Sequence, residues 1–206
     1  SIVAKSIPLK TFSCDGISFR IVTFGNIDIN RRNYSHGFQI FKRLQDHGFN
    51  LEWIILGQYA NLNSEIVLRK LSLRFDFTPT IIGGHKRVTS KEVLKIMSKV
   101  DFLLPLHFQH VRLGCFLETF SFTKASGVEY DSLCYGKYSL LSSWYEPHES
   151  LKSLSIPYSS LDNLVTLLES FYKSKSAIKP IATDDIDRIN LILEEQFIRA
   201  IQSRLN

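Results

Sequence analysis

Residues 19–56, FRIVTFGNIDINRRNYSHGFQIFKRLQDHGFNLEWIIL, read as strand, loop, helix, strand. Phe19 to Phe24 is a short run rich in β-branched and aromatic residues that stops at Gly25, and the polar loop NIDINRRNYS follows it. A helix is predicted from near Ser35, with Phe38, Phe41 and Leu44 on one face and Gly48 as its stop. Leu51 to Leu56 is a second strand ending at Gly57. Two apolar strands joined through a helix pair in parallel, because only a crossover of that length returns the chain to the same end of a sheet.

The same alternation continues outward. Asn63 or Ser64 is the expected cap of a helix whose Ile66, Val67 and Leu71 face the core, and Thr80 to Ile82 is a third strand closing on Gly83 and Gly84. Thr89-Ser90-Lys91-Glu92 has the spacing of a capping box, so a helix carrying Val93, Leu94 and Met97 starts there and leads to a fourth strand, Asp101 to Leu106. The apolar stretch VRLGCFLETF, residues 111–120, is expected to be a short helix. A small-residue turn then opens a helix with Val128, Leu133 and Cys134 inward and Gly136 as its stop, followed by a fifth strand, Tyr138 to Ser142, and a sixth near Leu154 to Tyr158. Ser160 caps a helix from about Leu161 to Phe171; the linker SKSAIKP ends at Pro180, and Asp184 and Asp185 open a last helix with the stripe Ile189, Leu193, Phe197, Ile201. The expected class is α/β, a doubly wound, mostly parallel sheet with helices on both faces. Residues 1–18 are a lead-in, 19–175 the domain, and 176–206 a linker and terminal helix.

With 206 residues, 44% of them hydrophobic and 22% charged, the chain can bury a full core. A net charge of +5 favours anionic partners, yet it lacks the clustered basic density of a nucleic-acid module, and the aromatics fall mostly at core positions, so no nucleic acid is expected. Cys14, Cys115 and Cys134 are too few and too scattered for a disulfide framework, which places the chain in a reducing, cytoplasmic setting. No apolar run reaches a membrane span and SIVAKSIPLK has no signal-peptide core, while surface Lys and Arg are compatible with peripheral work at the inner face of an anionic membrane. The start at Ser1 rather than Met raises the expectation of a fragment or a trimmed chain.

In doubly wound sheets ligands bind beyond the carboxyl ends of the strands. The loops there carry Gly25, Arg31, Arg32, Gly57, Gly83, Gly84, His85, Lys86, His107 and His110. One glycine after a strand is an ordinary tight turn; glycines in three consecutive loops point to a site. Residues 123–147, TKASGVEYDSLCYGKYSLLSSWYEP, place Lys124, Ser126 and Gly127 where a helix begins, and free N–H groups with the helix dipole favour an anion at such a point. His107, His110, Cys115 and Glu118 have no second close ligand pair, so no metal is expected, and Ser126 lacks the context of a hydrolase nucleophile.

Three stretches carry a family resemblance: FGNIDINRRNYSHGF (24–38), IIGGHKRVTSKEVLKIMSKVDFLLPLH (81–107) and TKASGVEYDSLCYGKYSLLSS (123–143). From about Phe19 to Tyr172 the chain resembles the C-terminal, nucleotide-sugar-binding half of a GT-B glycosyltransferase of the broad group 1 (family 4) kind. Gly25 matches the family's first loop, Arg31 falls at its lysine position and Asn26 stands where an arginine is usual. The family commonly shows two glutamates separated by seven residues; here Thr123 takes the first position and Asp131 the second.

The resemblance implies binding of a nucleoside diphosphate sugar, for transfer to a saccharide or lipid-linked acceptor in polysaccharide or glycoconjugate synthesis. Negative charge grows on the diphosphate as the anomeric bond breaks, so donors placed there stabilise the transition state. By the resemblance, Arg31, Arg32, Lys124, Ser126 and Gly127 hold the diphosphate without a metal or other cofactor, Thr123 and Asp131 contact the sugar, and His85 and Lys86 meet the base and ribose. No catalytic residue is assigned. A GT-B enzyme has two such halves and this length holds one, so the acceptor-binding N-terminal half is expected in the same longer chain or a separate partner, with little transfer by this half alone. Asn26 and Thr123 keep open a binding or scaffold module without catalysis, and a GT-B sugar-nucleotide epimerase shares the same sheet.

Overall fold

The computed structural model describes residues 18–113, 115–120 and 127–173, together with positions 185, 187, 189 and 191. β1 (Ser18–Phe24), α1 (Tyr34–Asp46) and β2 (Asn50–Gln58) form the first crossover, and α2 (Leu62–Phe75) and β3 (Thr80–Gly84) extend the sheet to one edge. α3 (Ser90–Met97) returns the chain to β4 (Phe102–Leu103) on the other side of β1. After a hairpin of β5 (His110–Leu113) and β6 (Phe116–Thr119) come α4 (Gly127–Tyr135), β7 (Tyr138–Ser142), a 3₁₀ turn (Glu149–Leu154), β8 (Ser155–Tyr158) and α5 (Leu161–Lys173). The six-stranded sheet has the order β3-β2-β1-β4-β7-β8 and every pairing in it is parallel. Strand order reverses between β1 and β4, which opens a crevice beyond their carboxyl ends.

Alternation along the strands builds two cores. Phe19 and Ile21 of β1 pack with Trp53 and Ile55 of β2 beneath α1 and α5, while Val22, Ile54 and Leu56 face α3 and α4 on the opposite side. Trp53 anchors the first core: its ring stacks on Phe41 at 4.6 Å and meets Phe38 edge-on at 5.1 Å. α1 sits close above it, since a Cβ on Gly37 would lie 2.7 Å from both Trp53 and Leu106. Thr23, buried at 1% exposure, joins three strands. Trp53 Nε1 donates to Thr23 Oγ1 at 3.0 Å, and the Thr23 hydroxyl donates to the Leu104 carbonyl at 2.8 Å. Thr23→Val keeps the shape but strands the indole N–H and that carbonyl, so urea denaturation should show a loss of about 1–3 kcal/mol at an unchanged m value.

The predicted capping box is present, with Thr89 and Glu92 exchanging both bonds at the start of α3, and Ser160 Oγ accepts from Asn163 N at 3.1 Å at the start of α5. Other expectations are corrected. α2 is capped by Asn61, whose side chain accepts from Ser64 N at 2.9 Å, not by Asn63 or Ser64. Its inward residue is Leu68 rather than Ile66, which is 41% exposed, because two residues along a helix is about 200° of rotation. Residues 111–120 form most of the antiparallel hairpin, not a helix: His110–Leu113 pairs with Phe116–Thr119, with Val111 and Phe120 buried at its base. The β4 ladder covers Phe102–Leu103 instead of residues 101–106, since Pro105 has no N–H to donate and Leu106 turns away at φ +55°. Cys134 is half-buried while its neighbours Ser132 and Leu133 are buried.

The lead-in, the linker and Leu193, Phe197 and Ile201 of the terminal stripe lie outside the described residues. Positions 185, 187, 189 and 191 are helical, and Ile189 packs with Leu133, Leu151 and Leu154. Among the described residues no helix is long and apolar enough to cross a membrane.

Candidate functional site

A cavity of about 280 Å³ lies at the β1/β4 crevice, and its lining includes Gly25, Arg32, Pro105, His107, Gly127 and Asp131. Gly25 ends β1 at φ +108°, a conformation that side chains disfavour, and releases the chain into a turn centred on Asp28. The Asp28 carbonyl accepts from Arg31 N at 3.2 Å and Arg32 N at 3.0 Å, and its side chain accepts from Asn30 N at 2.9 Å. The turn folds the loop back toward the end of β4. There Arg32 forms an antiparallel bridge with His107, and Asn33 N donates to the Leu106 carbonyl at 2.7 Å.

Arg32 is thereby fixed over the strand ends. Its Nη1 donates to the Pro105 carbonyl at 3.3 Å, and a Cβ on Gly25 would lie 2.6 Å from its Nη2, so the guanidinium rests on bare backbone. Leu106, in the left-handed region at φ +55°, turns β4 outward just before His107, whose ring stacks on Phe120 at 4.3 Å. α4 starts at the cavity: Gly127 and Val128 line it, and a Cβ on Gly127 would lie 4.0 Å from Asp131 Oδ2. A helix N-terminus, a guanidinium and a carboxyl therefore converge on one space.

Burial dominates their protonation. It lowers the Arg32 guanidinium from its ordinary value, with Tyr34, Asp131 and Asp28 opposing the shift. Burial, helped by the Arg32 charge, pushes His107 down to about 3, so its imidazole is neutral at physiological pH. Burial raises Asp131 to about 7 although Arg32 pulls the other way. Near neutrality Asp131 is thus divided between an acid that can donate a hydrogen bond and a carboxylate that accepts one.

The structure brings together Arg32, Gly127 and Asp131 of the predicted site. Arg31 does not line the cavity; it is exposed and paired with Asp28 at 3.4 Å. Thr123, Lys124 and Ser126 lie outside the described residues. His85 and Lys86 do not line the cavity: His85 Nε2 lies 3.2 Å from Glu65 Oε2, a carboxylate that also holds Arg69 at 2.6 Å. Gly57 and Gly83 do not line it either and act by close approach, since a Cβ on Gly57 would stand 2.0 Å from the Gly25 carbonyl oxygen and one on Gly83 2.5 Å from that of Gly57. His107 and Gly25, absent from the predicted ligand contacts, are part of the wall; the signal for them was a glycine and a Pro-x-His step at two adjacent strand ends. The weighed metal set is dispersed, with His110 Nδ1 on Thr119 Oγ1 at 3.0 Å and Cys115 exposed at the hairpin loop. Among the described residues no three His, Cys, Asp or Glu side chains gather.

The sequence matches no family model and no curated protein. Solved structures do match. OtsA superposes with a TM-score of 0.59 at 15% identity, covering 88% of this chain and 43% of that one. An α,α-trehalose-phosphate synthase (UDP-forming) from Burkholderia xenovorans gives 0.57 at 13%, covering 90% and 44%. The C-terminal domain of a glycosyl transferase group 1 family protein, LpcC, from Francisella tularensis gives 0.56 at 12%, covering 84% of this chain and 85% of that domain. This chain spans less than half the length of OtsA and the Burkholderia synthase, but most of the isolated LpcC domain. Its fold is that of one Rossmann-like half of a GT-B glycosyltransferase.

Proposed function

We propose that this chain is the donor-binding half of a glycosyltransferase, holding a nucleoside diphosphate sugar in the β1/β4 crevice for transfer to a saccharide or lipid-linked acceptor. The observation that carries this reading is the convergence of Arg32, the N-terminus of α4 and Asp131 on one cavity at the reversal of strand order. A diphosphate leaving group gains charge as the glycosidic bond breaks, and a fixed guanidinium beside the positive end of a helix dipole meets that charge without reorganising. Lys124 and Ser126, in the segment leading into α4, and Arg31, beside Arg32 in the loop after β1, complete the anion-holding set. Asp131, with Thr123, holds a sugar hydroxyl, for which a carboxyl titrating near neutrality offers both donor and acceptor. An extended nucleotide reaches beyond one cavity, and His85 and Lys86 at the end of β3 are assigned to its base and ribose. The fold shared with an E. coli trehalose-6-phosphate protein solved with UDP-2-fluoro glucose supports a nucleotide sugar as the ligand class. The acceptor-binding half is supplied by another domain, in the same chain or in a partner.

Calorimetric titration with UDP-, GDP-, ADP- and CMP-sugars tests this. One nucleotide is expected to bind at millimolar Kd or tighter. Arg32→Gln should weaken it at least about tenfold, or ~1.4 kcal/mol, and Arg31→Ala by less. Lys124→Ala repeats the test away from the packed guanidinium, and circular dichroism of each variant checks its folding. Absence of binding by every nucleotide sugar to the folded wild-type chain would overturn the donor-site reading.

A further inference from the structure

A second cavity, also of about 280 Å³, opens on the far side of the Leu106–His107 segment, among the carboxyl ends of β4, β7 and β8. His107 lines both spaces, but their chemistry differs. The first holds a guanidinium and a carboxyl; the second contains no Asp, Glu, Lys or Arg in its lining. Its two imidazoles are both neutral at physiological pH, because burial lowers His36 as it lowers His107. An ion placed there would meet no countercharge.

The cavity also looks unlike an anion site at its helix termini. The N-termini of α1 and α5 border it, yet both carry caps already: Asn33 Oδ1 accepts from His36 N at 3.0 Å, and Ser160 Oγ accepts from Asn163 N at 3.1 Å. Asp162 in the first turn of α5 already complements that helix dipole and is itself paired with Arg43.

What the walls offer is aromatic surface studded with neutral hydrogen-bonding groups. Half-buried His36 and Trp144 lie in the lining, His36 backed by the buried ring of Tyr158 with centroids 6.2 Å apart and planes 18° from parallel. The Trp144 indole N–H and the side-chain amides of Gln109 and, on its nitrogen, Asn33 have no hydrogen-bond partner among the described residues. Flat apolar faces beside outward-facing neutral donors and acceptors suit a ring whose faces are C–H and whose edge is hydroxyl. At about 280 Å³ the space is large enough for one such ring. We propose that this cleft is a second binding site, built for the pyranose ring of an uncharged saccharide. It is separate from the donor site and stands whether or not that site binds a nucleotide.

The chain has two tryptophans, and Trp53 is buried in the core with its N–H on Thr23, so the indole signals of a ¹⁵N-labelled sample report the cleft directly. The titrants are the methyl glycosides of glucose, galactose, mannose and N-acetylglucosamine, with inorganic phosphate alongside; Trp144→Phe assigns the signal. At least one glycoside is expected to shift the Trp144 resonance saturably at millimolar concentration while the Trp53 resonance stays in place. Ser159→Phe, at the exposed mouth, should weaken that response at least about tenfold by filling the space, and Gln109→Ala should weaken it as well. Arg32→Gln should leave it intact, which separates this site from the nucleotide site. A Trp144 resonance unmoved by every glycoside in a folded chain, a shift with phosphate instead, or glycoside binding indifferent to both cleft variants would each overturn the assignment.

Discussion

Gly57→Ala is expected to lower the stability of the chain by at least about 3 kcal/mol, the range of severe overpacking against backbone that cannot rotate away. The added methyl would stand 2.0 Å from the Gly25 carbonyl oxygen and 2.7 Å from its carbonyl carbon, so β1 and β2 must separate at their ends. No side chain can yield to relieve this, because both clashing atoms are main chain and Gly25 N is itself bonded to the Leu56 carbonyl at 2.9 Å. The displacement reaches the site, since Gly25 is the surface on which the Arg32 guanidinium lies. Gly48→Ala is the control: nothing lies within 4 Å of its Cβ position, and its φ of +79° costs only the strain of a left-handed alanine, ~1 kcal/mol. Urea denaturation of both variants measures the contrast. If Gly57→Ala lies within about 1 kcal/mol of wild type, the close approach of the strand ends does not organise this face of the sheet.

The same glycines show how the fold could be read ahead of the structure. Apolar runs of strand length joined by helical patterns, the first three ended by glycine, are local features, and they locate β1, β2, β3 and β7 to within a few residues. Caps are local too, so Thr89 and Ser160 were legible from spacing alone. The hairpin does not follow from the local pattern, because residues 116–120, FLETF, carry apolar groups at the first, second and fifth positions, a helical spacing, and the pairing of His110–Leu113 with Phe116–Thr119 is visible only in the fold. Only its base is packed: Val111 and Phe120 are buried, whereas Phe116 and Leu117 are 71% and 66% exposed.

The site was legible in its location and in part of its membership. Crevice geometry follows from strand order, which the alternating pattern supplies, and Asp131 follows from the family resemblance, in whose two-glutamate motif it takes the second position. Which of Arg31 and Arg32 turns inward does not follow from the pattern, because loop residues have no fixed period. It depends on the Asp28 turn and on the bridge from Arg32 to His107, a contact between segments far apart in the chain. The protonation of His107 and Asp131 is likewise set by burial under elements distant in sequence.

That burial makes Asp131→Asn the sharpest test of the site's electrostatics. The folded chain holds the Asp131 proton up to about 7, whereas the unfolded chain releases it near the ordinary 3.8. Between those values the native state binds more protons than the unfolded state, so this group's contribution is fully present below about 3.8 and is lost as pH rises through about 7. His107 acts in the opposite sense: its folded value near 3 against 6.5 unfolded makes stability fall as pH drops below 6.5. The two slopes oppose each other in the wild-type profile, and the Asn variant removes one of them. Relative to wild type, Asp131→Asn should be close to neutral at pH 4 and increasingly stabilising toward pH 8, by on the order of 2–4 kcal/mol at the plateau. Urea denaturation of the pair at successive pH values gives that difference directly, and a difference that does not vary with pH would place Asp131 in solvent rather than in the cavity. The site reading adds a second consequence. A diphosphate beside Asp131 favours its protonated form, so nucleotide-sugar binding should tighten from pH 8 to pH 6 in the wild type and stay level over that range in Asp131→Asn.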